Sequence, residues 1–118
     1  MLLNFSNHPS SSWPENQIQW ATQNYGKVED LPFPHVDPNL NEVALDKLVD
    51  EYLHKVLEKR PKHVHIMGEL TFCVALIKKL QKSGISCLAS TTNRTTEDLP
   101  DGTKISKFKF VRFRHYWP

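Results

Sequence analysis

The sequence predicts a three-layer α/β domain, residues 1–118, with a mostly parallel sheet and a C-terminal antiparallel strand. Strand-like and helix-like segments alternate three times along the chain, which is typical of a parallel sheet covered by helices on both faces. Two continuous apolar runs, Val64–Met67 and Ile85–Ala89, indicate buried parallel neighbours. No helical pattern precedes the last strand, Lys104–Arg114, so we expect it to pair antiparallel with a neighbour.

The first third of the chain predicts a strand, a helix and an edge strand. Leu2–Phe5 is a short apolar run, followed by a polar loop. Ser12 and Glu15 have the spacing of a capping box, with Ser12 as the N-cap of a helix that ends at Gly26. The polar segment Lys27–Leu31 is short enough to be an edge strand.

The second helix has the clearest signal in the sequence. Asn39 or Asn41 can cap it, and Pro61 terminates it. Its apolar residues recur every three or four positions over about four turns, which defines one buried face. This face consists of Leu45, Leu48, Val49, Tyr52, Leu53, Val56 and Leu57.

A third helix is predicted from Glu69 to Ser83, with Gly84 just beyond its C-terminus. Its first turns are apolar around most of the circumference, so we expect it to be well buried. After the strand Ile85–Ala89, the hydroxyl-rich segment Ser90–Thr95 is interpreted as a polar loop, and Glu97–Gly102 as a turn.

Composition indicates an ordinary soluble globular protein with an uneven charge distribution. The net charge of +2 does not by itself imply nucleic acid as a partner, and no duplex nucleic acid is expected. Lys104–Pro118 carries five Lys or Arg and no acid, whereas Glu29–Glu51 carries seven acids. Cys73 and Cys87 lie in apolar segments typical of buried reduced thiols. With no membrane-length apolar run and no signal-peptide pattern, the expected compartment is the cytoplasm.

Ligands of open α/β sheets bind at the carboxyl ends of the strands, which here selects the loops Ser6–Ser10, Gly68–Thr71 and Ser90–Arg94. Their hydroxyl and amide groups are typical of sites that recognise phosphate and sugar. The helix that follows Gly68 has free backbone N–H groups at its N-terminus, and these could bind an anion. The alternative is that Gly68 has only a steric role, because many strand-to-helix turns need glycine. The predicted ligand-binding residues are Ser6, Asn7, Gly68, Thr71, Ser90, Thr91, Thr92 and Asn93.

Three residues of these loops are candidates for catalysis, and each has a structural alternative. His8 could transfer protons or be a turn residue, and Glu69 could be a base or a helix first-turn acid. Arg94 could neutralise a phosphate or be a solvated surface charge. His63 and His65 face the same side of a strand, but no Cys or carboxylate at a matching spacing completes a metal site, so no metal is predicted.

Five stretches of the chain resemble small CRISPR-associated Rossmann-like proteins, akin to the stand-alone ring nucleases of type III systems. They are Leu3–Ser10, Asp30–Pro34, Gly68–Phe72, Ser90–Arg94 and Phe108–Arg114. The resemblance implies a homodimer that binds cyclic oligoadenylate in a central cleft, with cyclic tetra-adenylate as the leading ligand. Some such proteins cleave the ring without a metal or other cofactor, using the 2′-hydroxyl of the substrate as nucleophile. The site residues above follow from the loops and not from this resemblance.

Two other functions stay open at the level of sequence. One is a non-catalytic nucleotide sensor or interaction module on the same fold. The other is a nucleoside-processing enzyme in which Glu69 is a carboxylate nucleophile. The sequence also leaves open the ring size of a cyclic ligand.

Overall fold

A computed structural model describes residues 1–118, in which five strands form one sheet of order β2-β1-β3-β4-β5. The strands are β1 (Leu2–Ser6), β2 (Val28–Asp30), β3 (His63–Met67), β4 (Ser86–Asp98) and β5 (Lys104–His115). The helices are α1 (Glu15–Tyr25), α2 (Glu42–Glu58) and α3 (Leu70–Lys82), with a 3-10 turn at Ser10–Ser12.

The sheet is parallel from β2 to β4, and β5 joins its edge antiparallel to β4. This confirms the predicted fold class. It also confirms the two apolar runs as neighbours, because Val64 pairs with Cys87 in parallel register. The chain leaves β1 for β2 on one side and returns to β3 on the other. The topological switch point therefore lies between β1 and β3, where open α/β sheets bind ligands.

Side chains of alternate residues enter two cores, one on each face of the sheet. Leu3 and Phe5 of β1 pack with α2 and α3, whereas Leu2 packs on the opposite face with α1 residues such as Ala21. Helices therefore cover both faces, as three layers require. The α2–α3 side holds the larger cluster, and Lys79 Nζ ties the two helices together through Asp50 Oδ1 at 2.6 Å.

The helix ends confirm several predicted caps. Asn41 Oδ1 accepts a hydrogen bond from the backbone N–H of Ala44 at 2.9 Å, so Asn41 and not Asn39 is the N-cap of α2. Gly26 follows α1 with φ 91°, and Gly84 follows α3 with φ 80°. These positive φ angles explain why glycine ends both helices.

The predicted capping box at the start of α1 is wrong. Pro14 is the N-cap, and no side chain caps the helix. Ser12 instead closes the 3-10 turn, and Trp13 is extended at φ −71°, ψ 141°. The cause is Pro14, because a proline drives the residue before it out of helical geometry. Ser12 therefore cannot be followed by a helical first residue.

The predicted polar loop at Ser90–Thr95 is also wrong, because β4 continues without interruption to Asp98. Beyond Leu88 its partner is β5 alone, and the two form a long antiparallel hairpin that leaves the sheet. We call residues 91–112 the arm. It gives the molecule a radius of gyration of 16.0 Å, whereas a compact domain of this length has about 13.5 Å.

Both cysteines are buried free thiols, as predicted. Burial raises the pKa of Cys73 and of Cys87 to about 12, so neither is a thiolate at neutral pH. None of the three helices combines the length and the apolar character that crossing a membrane requires.

Candidate functional site

Three polar residues lie in one row across the sheet, next to the switch point. Asp30 of β2 pairs with Asn4 of β1, and Asn4 pairs with His65 of β3. Asn4 and His65 are almost fully buried, at 2% and 1% exposure. Polar side chains in the middle of a sheet must satisfy their hydrogen bonds internally, and these do so with one another.

Asn4 is the centre of this row because all of its side-chain atoms have partners. Its Nδ2 donates to Asp30 Oδ1 at 2.9 Å and to the carbonyl oxygen of His8 at 2.8 Å. Its Oδ1 therefore faces the other two neighbours, Ser6 Oγ and His65 Nδ1, each at 2.8 Å. Only a protonated Nδ1 can pair with this oxygen, so the network assigns the Nδ1–H tautomer to His65.

The other nitrogen of His65 is consequently a free acceptor. Burial, and secondarily the nearby His8, lower the pKa of His65 to about 4, so the ring is neutral at physiological pH. Trp13 and Phe113 pack edge-on around the ring, with centroid distances of 5.2 and 5.4 Å. These aromatic contacts fix the ring plane that Asn4 orients.

Ser90 of the next strand extends the hydrogen-bond network, two residues beyond Leu88, the direct partner of His65. Its Oγ lies 3.2 Å from His65 Nε2, with Met67 Sδ, a much weaker acceptor, at the same distance. Because His65 Nε2 carries no proton, the Ser90 hydroxyl donates to it. The result is a continuous chain of hydrogen bonds from Asp30 through Asn4 and His65 to Ser90.

His65 and Ser90 open into a cavity of about 400 Å³ between α1 and the base of the arm, which we call the switch-point cavity. Its walls are unusually aromatic, and its polar groups are histidines, hydroxyls and one carboxamide. The lining residues are His8, Ser12, Trp13, Pro14, Gln17, His65, Met67, Ser90, Thr92, Phe108 and Phe110. Gln17 is only 7% exposed, and its side chain makes no hydrogen bond within the chain. It is therefore a free donor and acceptor for a ligand.

Among the predicted catalytic residues, His8 lines this cavity with an exposed side chain. Its backbone is held firmly, because its carbonyl oxygen accepts from Asn4 Nδ2 and from Trp13 Nε1 at 3.1 Å. Ser6 is buried in the same network and supports the loop through the backbone N–H of His8. The β1–α1 loop thus sets the position of the His8 ring relative to His65.

Glu69 and Thr71 satisfy each other at the start of α3. The Glu69 carboxylate accepts from the backbone N–H groups of Thr71 and Phe72 and from the Thr71 hydroxyl at 2.7 Å. These hydrogen bonds, led by that of the Thr71 hydroxyl, lower the pKa of Glu69. The carboxylate therefore occupies the position at which this helix N-terminus would hold an external anion.

Gly68 has a steric role in the same turn. A Cβ atom at this position would come within 2.4 Å of the Phe33 ring, which packs against Phe5 and Phe72 in the larger core. Neither Gly68 nor Thr71 lines the switch-point cavity. Asn7 lies at a separate surface depression next to Asp30 and Phe33.

The remaining predicted residues are divided between the two faces of β4. Ser90 and Thr92 line the cavity, and Arg94 follows on the same face with its guanidinium 5.8 Å from the centroid of the cavity residue Phe108. Thr91 and Asn93 alternate to the other face and do not line the cavity. Arg94 is thus at the rim of the site and not in a loop beside it.

A β-bulge shapes the rim. Thr91 pairs with Arg112, but Thr92 pairs with Phe110, so Val111 is an extra residue in β5. The bulge lets Phe110 and Phe113, three residues apart, pack together at a centroid distance of 5.0 Å. The three-residue spacing in a strand that otherwise alternates was a readable signal for this bulge.

Sequence reasoning missed Asn4, Asp30, Trp13 and Gln17 as members of the site, and it considered His65 only as half of a metal pair. A signal was present in two of them, because Asn4 and His65 each interrupt an apolar strand. A buried polar residue in such a run needs a partner on a neighbouring strand. His63 does face the same side as His65, but no group of three or more His, Cys, Asp or Glu has the arrangement to hold a metal ion.

The fold and the cavity together define a small α/β protein with a polar, aromatic-walled cavity at its topological switch point. Residues 1–114 match the model of the Uncharacterized protein MJ1673 family, and the chain belongs to that family. The searches of curated proteins and of solved structures gave no match.

Proposed function

We propose that the protein is a homodimer that binds a cyclic oligoadenylate second messenger and cleaves it without a metal ion, in a type III CRISPR antiviral response. The observation that carries this proposal is the switch-point cavity, in which His8, His65 and Ser90 face a space walled by aromatic side chains. Aromatic side chains stack on nucleobases, and histidines transfer protons near neutral pH. The resemblance of five stretches to ring nucleases supplies the identity of the ligand.

The size of the cavity supports a shared ligand. A volume of about 400 Å³ is at the lower end of ligand pockets, which hold roughly 300–1,000 Å³. Such a cavity suits one nucleotide, so a cyclic tetranucleotide requires equivalent cavities from two protomers. A two-fold dimer presents two copies of one cavity to a ligand of matching symmetry.

The arm supports dimerisation independently. Three of its apolar residues are exposed to solvent: Phe108 at 65%, Val111 at 46% and Ile105 at 39% of their accessible surface. Within the sheet, the residues of the arm pair only with each other. A projecting hairpin with apolar side chains gains burial when a second copy covers it. Multi-angle light scattering at micromolar concentration, with and without cyclic tetra-adenylate, should give the dimer mass, and a monomer in both conditions would contradict this part of the proposal.

The function is tested by incubating the protein with cyclic tri-, tetra- and hexa-adenylate in excess chelator and separating the products by chromatography. We expect linear products from at least one ring. Phe108→Ala removes an aromatic wall without disturbing the core, and base stacking contributes roughly 1–3 kcal/mol per base, so affinity should fall about fivefold to a hundredfold. Trp117→Ala is the matched control, because Trp117 is 93% exposed and does not line the cavity.

Three outcomes separate the alternatives. Tight binding without products would identify a non-catalytic sensor. Exchange or hydrolysis of nucleosides, abolished in Glu69→Gln, would favour a nucleoside-processing enzyme, although the Glu69 carboxylate is engaged by three donors of its own turn. Absence of binding to every ring would reject the proposal.

A further inference from the structure

We infer that Ser90 is a catalytic nucleophile, with His65 as its general base and Asn4 as the residue that positions the base. The inference deepens the function proposed above and rests on it for the identity of the substrate, a phosphodiester. It differs from attack by the 2′-hydroxyl of the substrate, which the resemblance to ring nucleases implies.

The first support is geometric. Activated nucleophiles lie within hydrogen-bond reach of a base that a third group orients. Ser90 Oγ is 3.2 Å from His65 Nε2, and Asn4 Oδ1 is 2.8 Å from His65 Nδ1 on the far side of the ring. Asp30 holds Asn4 in turn at 2.9 Å. The three functional groups come from three adjacent strands, which makes the arrangement rigid.

The second support is the protonation state of the base. The Asn4 network leaves the lone pair of His65 Nε2 directed at the Ser90 hydroxyl. The proton between them can therefore move only from Ser90 Oγ to His65 Nε2. His8 is the titratable group that faces His65 across the cavity, and Asp30 acts on it only through Asn4. A phosphate entering the cavity would place a negative charge near His65 and raise its basicity when catalysis requires it.

The third support is access. Ser90 lines the switch-point cavity together with Gln17, whose carboxamide has no partner in the chain. Gln17 can donate to the oxygen on which negative charge develops. The chain contains an instructive contrast on the same strand, because Ser86 Oγ lies 2.8 Å from His115 Nδ1. That exposed pair has no group on the second nitrogen of His115 and lines none of the described cavities.

The proposed reaction has two balanced halves. The Ser90 hydroxyl proton passes to His65 Nε2, Oγ bonds to phosphorus, and the bond from phosphorus to the ribose oxygen breaks as that oxygen takes the proton from His65. Water then gives a proton to His65, its oxygen bonds to phosphorus, and the bond to Ser90 Oγ breaks as Oγ recovers the proton. The products are a linear oligonucleotide with a phosphate monoester at one end and a free hydroxyl at the other.

The first test uses a fluorophosphonate probe on the full chain, followed by peptide mass mapping. We expect one adduct, on Ser90, that is absent in Ser90→Ala and unchanged in Ser86→Ala. His65→Gln should slow labelling about a hundredfold or more, because general-base catalysis contributes roughly 10²–10⁴-fold. Circular dichroism melts establish that each variant is folded. Ser90→Cys supplies a second test, since labelling by iodoacetamide should depend on His65 in the same way.

The second test compares cyclic tetra-adenylate with its 2′-deoxy analogue. Cleavage of both rings to phosphate monoesters, lost in Ser90→Ala, would support the inference. Cleavage of the ribose ring alone to 2′,3′-cyclic phosphates, with Ser90 unlabelled, would overturn it and leave the proposed function intact. Labelling of Ser90 without binding of any ring would reject the proposed function and retain the nucleophile.

Discussion

Asn4 Oδ1 and His65 Nδ1 are joined by a 2.8 Å hydrogen bond between directly paired residues of two parallel strands. The bond crosses the topological switch point of the sheet, where the chain reverses its direction of winding. Both side chains are buried, so neither can exchange this partner for water. The stability of the sheet and the chemistry of the candidate site therefore depend on the same contact.

Replacing Asn4 by leucine should destabilise the protein. The side chains have similar size, but leucine leaves the buried His65 Nδ1 without a partner. It also removes one of the hydrogen bonds of Ser6 Oγ and one of those of Asp30 Oδ1. A buried unsatisfied group costs about 1–3 kcal/mol, so we expect a loss of that size in the free energy of unfolding, measured by urea denaturation. Asn24→Leu, on the exposed surface of α1, is the control and should change stability by less than about 0.5 kcal/mol. Equal stabilities would show that the network is dispensable.

His65 should also make stability depend on pH. The unfolded ring takes a proton near pH 6.5, whereas the folded ring does so only at about 4, mainly because it is buried. Between these values the unfolded state binds more protons, so stability is full above pH 6.5 and falls as the pH drops toward 4. The total loss is about 3 kcal/mol.

Urea titrations at pH 7, 5.5 and 4.5 measure this loss. His63 contributes in the same direction, because burial, followed by the charge of His115, lowers its pKa. The comparison with His65→Gln isolates the larger effect, since glutamine does not titrate. A variant with the same pH dependence as the wild type would assign the loss to His63 or to carboxylates.

The sequence predicts the order of the elements well because the relevant signals are local. The apolar face of α2 and the glycines after α1 and α3 each reflect the geometry of one element. The candidate site is harder because it depends on strand register. Asn4 and His65 are 61 residues apart, and only the sheet reveals that they are direct partners.

The arm was not predicted from the sequence, for a different reason. A strand that leaves the sheet has solvent on both faces, so the segment after Ser90 lacks the apolar pattern of a buried strand. Its four threonines, a β-branched residue type, were the signal that favoured extended structure. The predicted capping box at Ser12 does not form, because Pro14 keeps the residue before it out of helical geometry and the helix begins only after Pro14.

Gly68→Ala distinguishes a steric role for this glycine from a ligand role. The new methyl group would meet the Phe33 ring at 2.4 Å, and overpacking of this kind costs about 1–3 kcal/mol. Phe33→Leu should relieve the clash, so the double variant should be more stable than the two single losses predict, by at least about 0.5 kcal/mol. Additive losses would show that Phe33 is not the reason for glycine at this position.

Arg94 provides the last prediction, because it lies at the cavity rim on an exposed strand. Its guanidinium stacks near Phe108, and its Nη2 donates to Ser106 Oγ at 3.2 Å, so it is partly ordered without being buried. Charge-assisted hydrogen bonds to a phosphate contribute about 1.5–3 kcal/mol. Arg94→Ala should therefore weaken binding of cyclic tetra-adenylate about tenfold or more, with unchanged thermal stability.

Arg94→Lys should recover only part of this affinity, because an ammonium group cannot make the paired hydrogen bonds of a guanidinium. Arg114→Ala is the matched control: it removes the same charge from β5, opposite Ala89, at a position that does not line the cavity. Isothermal titration of the four proteins measures the differences. Equal losses in both alanine variants would indicate a general effect of net charge, whereas a loss confined to Arg94 places the phosphate of the ligand beside Phe108. That position lies on the same face of β4 as Ser90. The phosphate would then approach the Ser90 hydroxyl, which donates a hydrogen bond to His65 Nε2.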